Sequence, residues 1–236
     1  MDNIRDIENL IKTDIKDIME EILKKLNYTV PLPSNSRAGA EISDYLEDAI
    51  VEHLKFNQHF HITDIEGAPK GKTKNPYDFK FNYCMGNFND LIWVDIKATN
   101  VVYKDSNPDL GTPKKLIKFI LDGHFYILYV FLKYQSTSDN TTIFVPYDNG
   151  DYVKCMFLKD INQTVRINPK PQFQVNIDKE EEYRTIPEFI TLFKQKYFES
   201  LQRNVDKTYK QINQLDNIFD EIQECVIDYQ KSKFKK

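Results

Sequence analysis

Two stretches of alternating side chains meet at a glycine-asparagine pair, and this arrangement narrows the fold more than any other feature of the chain. From Tyr77 to Tyr83, aromatic Tyr77, Phe79, Phe81 and Tyr83 alternate with Asp78, Lys80 and Asn82. From Leu91 to Ala98, Leu91, Trp93, Asp95 and Lys97 alternate with Ile92, Val94, Ile96 and Ala98. A period of two is the pattern of a strand. Gly86-Asn87 suits a two-residue hairpin loop, with glycine at the first central position of a II′ turn. Met85 then pairs with Phe88, and paired positions sum to 173. Asp78 and Asp95 share that sum. A bulge-free hairpin therefore sets them directly opposite, with Cβ atoms about 4.5–5.5 Å apart.

Asp95 and Lys97 lie two apart on one strand, so they share a face, about 6.6 Å from each other along it. Asp78 joins them there, on a sheet whose other side is apolar. Carboxylates opposite each other repel unless a positive group lies between them. Surface decoration by Asp and Lys is the plain alternative. Against it, aspartate is depleted in strand interiors, and this strand is otherwise apolar and holds the only Trp of the chain. Hard oxygen ligands at this spacing suit Mg²⁺, which takes one or two carboxylates and completes its shell with water and phosphate oxygens. A lysine beside the metal can orient or help deprotonate an attacking water. The chemistry implied is metal-assisted hydrolysis of a phosphodiester.

The remaining chain sets the context. Ile4, Ile7, Ile11, Ile15, Ile18, Ile22 and Leu26 recur at steps of three and four, predicting an amphipathic helix or two in series. Pro31 and Pro33 end it. A second helix follows Gly39, with Ile42, Leu46, Ile50 and Leu54 on one stripe. A loop over 104–113 precedes a short helix. The apolar run from His124 to Lys133 reads as a fully buried strand, followed by strands at 142–145 and 152–158. From Pro187 onward two stripes predict a C-terminal helical pair. The order implies an α/β or α+β domain over 1–236: a central mixed sheet flanked by helices, with helical segments at 1–27 and 187–236 around a core at 39–186.

Composition bears on partners. The net charge is −4, which argues against coating nucleic acid through bulk charge. The average conceals a gradient: residues 1–67 carry −7, residues 68–118 carry +4, and the rest carry −1. Three scattered Cys offer neither a zinc site nor a disulfide framework. His59 and His61 alternate on an expected strand without further ligands nearby and read as a solvent-facing pair. Ser36, Ser43 and Ser106 have no expected His–acid partner. The absence of GxGxxG and Walker motifs argues against a nucleotide cofactor. The acidic N-terminus is unlike a signal peptide, and the longest apolar run is too short for a membrane span. A soluble cytoplasmic protein without a membrane partner is the expectation.

Pro76-Tyr77-Asp78 followed by Asp95-Ile96-Lys97, with a glutamate on a preceding helix, resembles the PD-(D/E)xK nucleases. Tyr77 departs from the pattern, in which Pro and Asp are adjacent. Longer blocks are more specific. Gly39 to Asp48, Gly67 to Pro76, Asp105 to Pro113 and Arg166 to Gln172 resemble the SwaI-like type II restriction endonucleases, and the likeness runs from about residue 39 to 190. It implies a homodimeric, Mg²⁺-dependent endonuclease, with Mn²⁺ as a substitute, acting in a restriction-modification system. Such an enzyme would cut both strands of an AT-rich palindrome in double-stranded DNA and leave blunt ends. Asp78 and Asp95 would be metal ligands, with the Ile96 carbonyl as a third, and Lys97 the catalytic lysine. The helix glutamate is Glu47 or Glu41, with Glu47 better placed to reach the sheet edge.

Lys70, Lys72 and Lys74 precede the first aspartate and are candidates for phosphate contacts, with Asn75 and Lys114 in the same basic segment. Base reading calls for amides and guanidinium groups. Arg166, Asn168, Lys170, Gln172, Gln174 and Asn176 cluster in a proline-interrupted segment, and Asn107 lies in another proline-containing loop. An amide-rich set fits adenine better than guanine. A structure-specific or repair nuclease of the same superfamily, and a catalytically silent DNA-binding module, are the other readings open at this point.

Overall fold

The computed structural model describes residues 3–32, 38–57, 59–69, 77–102, 108–137, 141–161, 166–167, 173–175 and 177–234. Helix α1 spans Ile4–Lys25, strand β1 Thr29–Val30 and helix α2 Ala38–Phe56. Strands β2 (Ile62–Gly67), β3 (Phe79–Met85) and β4 (Phe88–Asn100) follow, then helix α3 (Pro113–Leu121). Next come β5 (Ile127–Ser136), β6 (Thr142–Val145) and β7 (Val153–Phe157), with a 3₁₀ turn at Leu158–Asp160. Two short strands, β8 (Arg166–Ile167) and β9 (Phe173–Gln174), precede helix α4 (Ile186–Phe234).

Among the described residues, seven strands form one sheet in the order β1-β6-β5-β4-β3-β2, with β7 also bonded to β5. β4 and β5 run parallel, with α3 in the connection between them. The other pairs of this sheet are antiparallel, so it is mixed, as expected. The β3–β4 hairpin keeps the anticipated register from Met85 opposite Phe88 to Phe79 opposite Val94. Gly86 takes φ 57° in its turn, a conformation in which a side chain is strained.

The sheet is buried on both faces, because its alternating side chains meet a different core on each side. Phe79, Phe81, Val94, Ile96, Leu128 and Val130 face α1 and α2. Ile11, Ile15, Met19 and Leu23 of α1 are fully buried there, each worth about 1.5–3 kcal/mol relative to exposure. Ile127, Tyr129 and Phe131 face the opposite way, against Leu110, Leu116 of α3, Phe173 and the start of α4 at Phe189 and Phe193.

Two expectations change. The C-terminal pair is one helix of 49 residues. Residues 202–211 contain neither Pro nor Gly, so nothing breaks it, and Val205 joins the two stripes. Its start carries a capping box: the Thr185 amide donates to Glu188 Oε2 at 2.8 Å, and the Glu188 amide approaches Thr185 Oγ1 at 3.5 Å. His59 and His61 precede β2 rather than lying on it, and the His61 ring nitrogen is held 3.0 Å from the Cys84 carbonyl oxygen. The second core covers Asp95 on its face of the sheet, while Lys97 on the same face stays half-buried.

Candidate active site

The hairpin loses its regular pairing where the chemistry begins. Phe79 pairs with Val94, yet the Asp78 amide also donates to the Val94 carbonyl at 2.7 Å. Two successive residues therefore address one partner, the geometry of a β-bulge. Asp78 is displaced from the position opposite Asp95 that a bulge-free hairpin requires. The displacement turns its carboxylate along the strand, where Oδ2 accepts the Ile96 amide at 2.6 Å. The side chain thus takes the place of a backbone acceptor where the β3 ladder has ended.

Asp95 lies deep in the sheet, only 7% exposed, opposite Tyr129 of β5. Lys97 shares its face as the period of two requires, and Lys97 Nζ sits 2.8 Å from both Asp95 oxygens. Burial raises the Asp95 pKa, against the pull of Lys97. The Asp78 pKa is pushed up to about 8, first by burial and then by the charge of Asp95, with Lys97 and the Ile96 amide opposing. Burial works against the Lys97 ammonium, but Asp95 and Asp78 outweigh it and hold its pKa up. The three groups form one electrostatic unit with an excess of carboxylate, the condition that a divalent cation relieves.

Helix α2 approaches this unit with two side chains. Ser43 donates to the Ile96 carbonyl oxygen at 3.0 Å, with the Gly39 carbonyl an alternative acceptor at the same distance. The Ile96 peptide is thereby held at both ends, its amide by Asp78 and its carbonyl by Ser43. Glu47 accepts the Ala68 amide at 3.0 Å, and the same amide donates to the Asp78 carbonyl at 2.6 Å. The negative charge of Glu47 adds to the upward push on Asp78. A Cβ at Gly67 would lie 2.9 Å from Glu47 Oε1, so glycine is what lets this carboxylate approach β2.

An open cleft runs beside these groups, bordered by Ser43, Asp78, Lys97, Pro108 and Asp109. Its far wall is stitched to β9: the Leu110 amide donates to the Phe173 carbonyl at 2.8 Å, and Asp109 bridges to Gln174. Gln174 is therefore tied to the loop that borders the cleft. Lys114 is exposed on the first turn of α3, and its neighbour Lys115 lowers the Asp95 pKa through its charge. Arg166 pairs with Gln174 through the β8–β9 backbone. Lys70, Lys72, Lys74, Asn75, Asn107, Asn168, Lys170, Gln172 and Asn176 lie outside the described residues, as does the Arg166 side chain.

The structure adds four residues to those read from the sequence: Ser43, Gly67, Asp109 and Lys115. The sequence offers Ser43 only as a serine without an expected His–acid partner. Lys115 sits in the basic segment; Gly67 and Asp109 lie in the blocks that carry the family resemblance, but nothing beside them in sequence assigns them a role. Among the described residues no group of three or more His, Cys, Asp and Glu is arranged to hold a metal. The donor set of Asp78, Asp95 and the Ile96 carbonyl is nonetheless all oxygen, and the raised carboxylate pKa values suit a hard divalent cation.

A mixed sheet between helical layers thus carries the Asp95–Lys97 pair and a second aspartate beside an open cleft. The family model of the SwaI restriction endonuclease matches residues 3–215, and the chain belongs to this SwaI-like family. Among solved structures, NlaIV restriction endonuclease aligns with TM-score 0.44 and 10% identity over 70% of this chain and 66% of its own. The chain thus spans just under two thirds of the length of that structural relative. D212, a nuclease from a fusselovirus, aligns with TM-score 0.33 and 14% identity over 68% of this chain and 96% of its own. No curated protein matches the chain. Among the described residues no helix is long and apolar enough to cross a membrane.

Proposed function

We propose that this protein is a type II restriction endonuclease that hydrolyses both strands of double-stranded DNA within an AT-rich palindrome, leaving blunt ends, as a two-fold homodimer. The observation that carries the reading is the Lys97–Asp95 pair at 2.8 Å, set beside an Asp78 carboxylate that accepts the Ile96 amide. A two-fold protein matches a palindromic site, and an acidic body with one basic segment disfavours indiscriminate binding.

Asp78, Asp95 and the Ile96 carbonyl would hold Mg²⁺, or Mn²⁺ in its place. When bound, the ion supplies a lowered pKa for water and charge stabilisation on the phosphate. The chain's own groups do the rest. Lys97, kept protonated by its carboxylate neighbours, orients the attacking water and stabilises charge developing on the phosphate oxygens. Ser43 fixes the Ile96 carbonyl, and Asp78 fixes the amide of the same peptide. Glu47 holds the end of β2 against the start of β3. Lys114, Lys115 and the lysines at 70, 72 and 74 neutralise the DNA backbone, and the 166–176 segment reads base edges from the side of Gln174.

The deciding experiment is digestion of a DNA of known sequence with Mg²⁺ and mapping of both ends of every fragment. Discrete fragments with flush ends at one AT-rich palindrome are expected. Cuts without discrete bands would point to a structure-specific or repair nuclease. Binding with no cutting in Mg²⁺ or Mn²⁺ would leave a silent DNA-binding module.

A further inference from the structure

Helix α4 leaves the body of the protein near Ser200. From Leu201 to Lys233 every residue except Asn204 is exposed. Yet the helix keeps a strict apolar pattern there. Phe198, Val205, Ile212, Phe219 and Val226 recur every seven residues. Leu201, Thr208, Leu215, Ile222 and Tyr229 recur in the same way, three residues further on. These are the a and d positions of a coiled coil sustained for more than four heptads. The nine apolar members of the two sets are 45–63% exposed, which leaves a long unpartnered seam.

Three observations say what covers the seam. Charge is kept away from it: between 198 and 230 only Asp216 among the charged residues occupies a position flanking the a/d core. The flanking positions are otherwise uncharged, with Gln202, Asn204, Gln211, Gln223 and Cys225 among them. Two identical helices can therefore meet without like charges facing each other, and no pattern there selects a differently charged partner.

The core is also self-complementary when one copy is reversed. Positions summing to 427 then share a layer: Phe198 with Tyr229, Leu201 with Val226, Val205 with Ile222, Thr208 with Phe219, and Ile212 with Leu215. The smallest core residue meets one of the largest. A parallel pair would set Phe219 on Phe219 and Thr208 on Thr208, one layer overfull and one hollow.

Net charge favours the same direction. Residues 197–213 carry +1 and residues 214–230 carry −5. A parallel pair sets the two acidic halves side by side, and an antiparallel pair separates them. In that register the end of the second helix reaches the apolar groove between α3 and α4, lined by Ile117, Leu121, Ile190, Phe193, Tyr197 and Phe198.

We infer that residues 198–229 of α4 form an antiparallel two-stranded coiled coil with the same segment of a second copy of this chain, and that this seam is a self-association surface. The inference deepens the two-fold reading proposed above and rests on it only for the number of copies. It uses no catalytic residue.

The test uses the full chain without DNA. Sedimentation equilibrium of the wild type at tens of micromolar should give a dimer. Ile212→Asp combined with Leu215→Asp should weaken association by at least about 100-fold, with the unfolding transition of the sheet retained. Asn204→Cys should form a disulfide with Cys225 of the second copy under mild oxidation, because these flanking positions meet across an antiparallel pair. Within one helix they lie about 31 Å apart, so the bond can only join two chains. A cross-linked dimer whose joined peptides contain positions 204 and 225 supports the register. A monomeric wild type, a dimer indifferent to the double substitution, or a dimer in which the 204–225 bond never forms would each overturn the proposal. None of these results bears on the catalytic assignment, which the Asp95 and Lys97 variants decide on their own.

Discussion

The ammonium of Lys97, half-buried at the wall of the cleft, lies 2.8 Å from both oxygens of the buried Asp95 carboxylate. Such a pair is expensive to bury and often contributes little net stability. Its retention next to Asp78, at the wall of a cleft, is what gives the nuclease reading its chemical content.

Lys97→Ala is expected to lower cleavage in Mg²⁺ by about 10²–10³-fold or more, the range seen when one electrostatic donor to a transition state is removed. DNA binding in Ca²⁺ should persist, since Lys97 is not among the groups assigned to the DNA backbone. Filter binding and single-turnover cleavage separate the two. Cleavage at the wild-type rate would end the catalytic assignment, and Asp95→Ala should abolish metal-dependent cutting altogether.

Asp78→Asn is expected to stabilise the metal-free protein while abolishing cleavage. The Asp78 pKa is about 8 in the fold, against an ordinary value of 3.8. The folded state therefore binds the proton more tightly than the unfolded one. The cost is absent below the unfolded value and grows as pH rises between about 4 and 8. Neutral Asn does not incur it. Thermal melts in EDTA at pH 8 should show Asp78→Asn above wild type, at about 2–4 °C per kcal/mol recovered for a chain of this size, with a flatter pH dependence. A lower melting temperature for the variant would contradict this account.

Gly67→Ala would set a methyl group 2.9 Å from Glu47 Oε1. Because that contact is the tip of a flexible side chain, the carboxylate should move rather than the strand. The expected outcome is a fold within about 1 kcal/mol of wild type but cleavage reduced roughly tenfold, an effect reproduced by Glu47→Gln and not increased in the double variant. Additive losses in that cycle would separate the two residues.

Lys159 offers a stability test remote from the cleft. Its Nζ donates to both Asp160 oxygens at 2.8 and 2.9 Å and to the Arg184 carbonyl at 2.8 Å. It also pairs with Glu8 of α1 at 2.8 Å. All four residues are buried. Lys159→Met leaves two buried carboxylates without their cation and should cost about 3–5 kcal/mol. Denaturant unfolding checks this, and a loss below about 1 kcal/mol would show that the network contributes specificity instead.

Much of the fold was legible because its signals are local. The isoleucine spacing marked α1, the period of two marked β3 and β4, and Gly86-Asn87 set their register. The short helix after the 104–113 loop and the apolar run of β5 were equally plain. Legibility failed where a distant contact decided. Nothing near Asp78 announces a bulge, because the bulge exists to reach the Ile96 amide on another strand. Ser43 and Gly67 matter through α2 meeting β4 and β2, contacts that neither residue's neighbours encode. The C-terminal helix presents two separate apolar stripes in sequence, although residues 202–211 hold no breaker.

Side-chain period and turn chemistry, written in consecutive residues, thus determined the strands, the hairpin register and the placing of Asp95 and Lys97 on one face. Tertiary structure alone decided that a second core covers Asp95, that Asp78 turns its carboxylate onto a backbone amide, and that Glu47 closes against Gly67. The physical reason is range. Backbone propensity acts over a few residues, whereas burial, pKa and the hydrogen-bond partner of a carboxylate depend on which elements the sheet brings together.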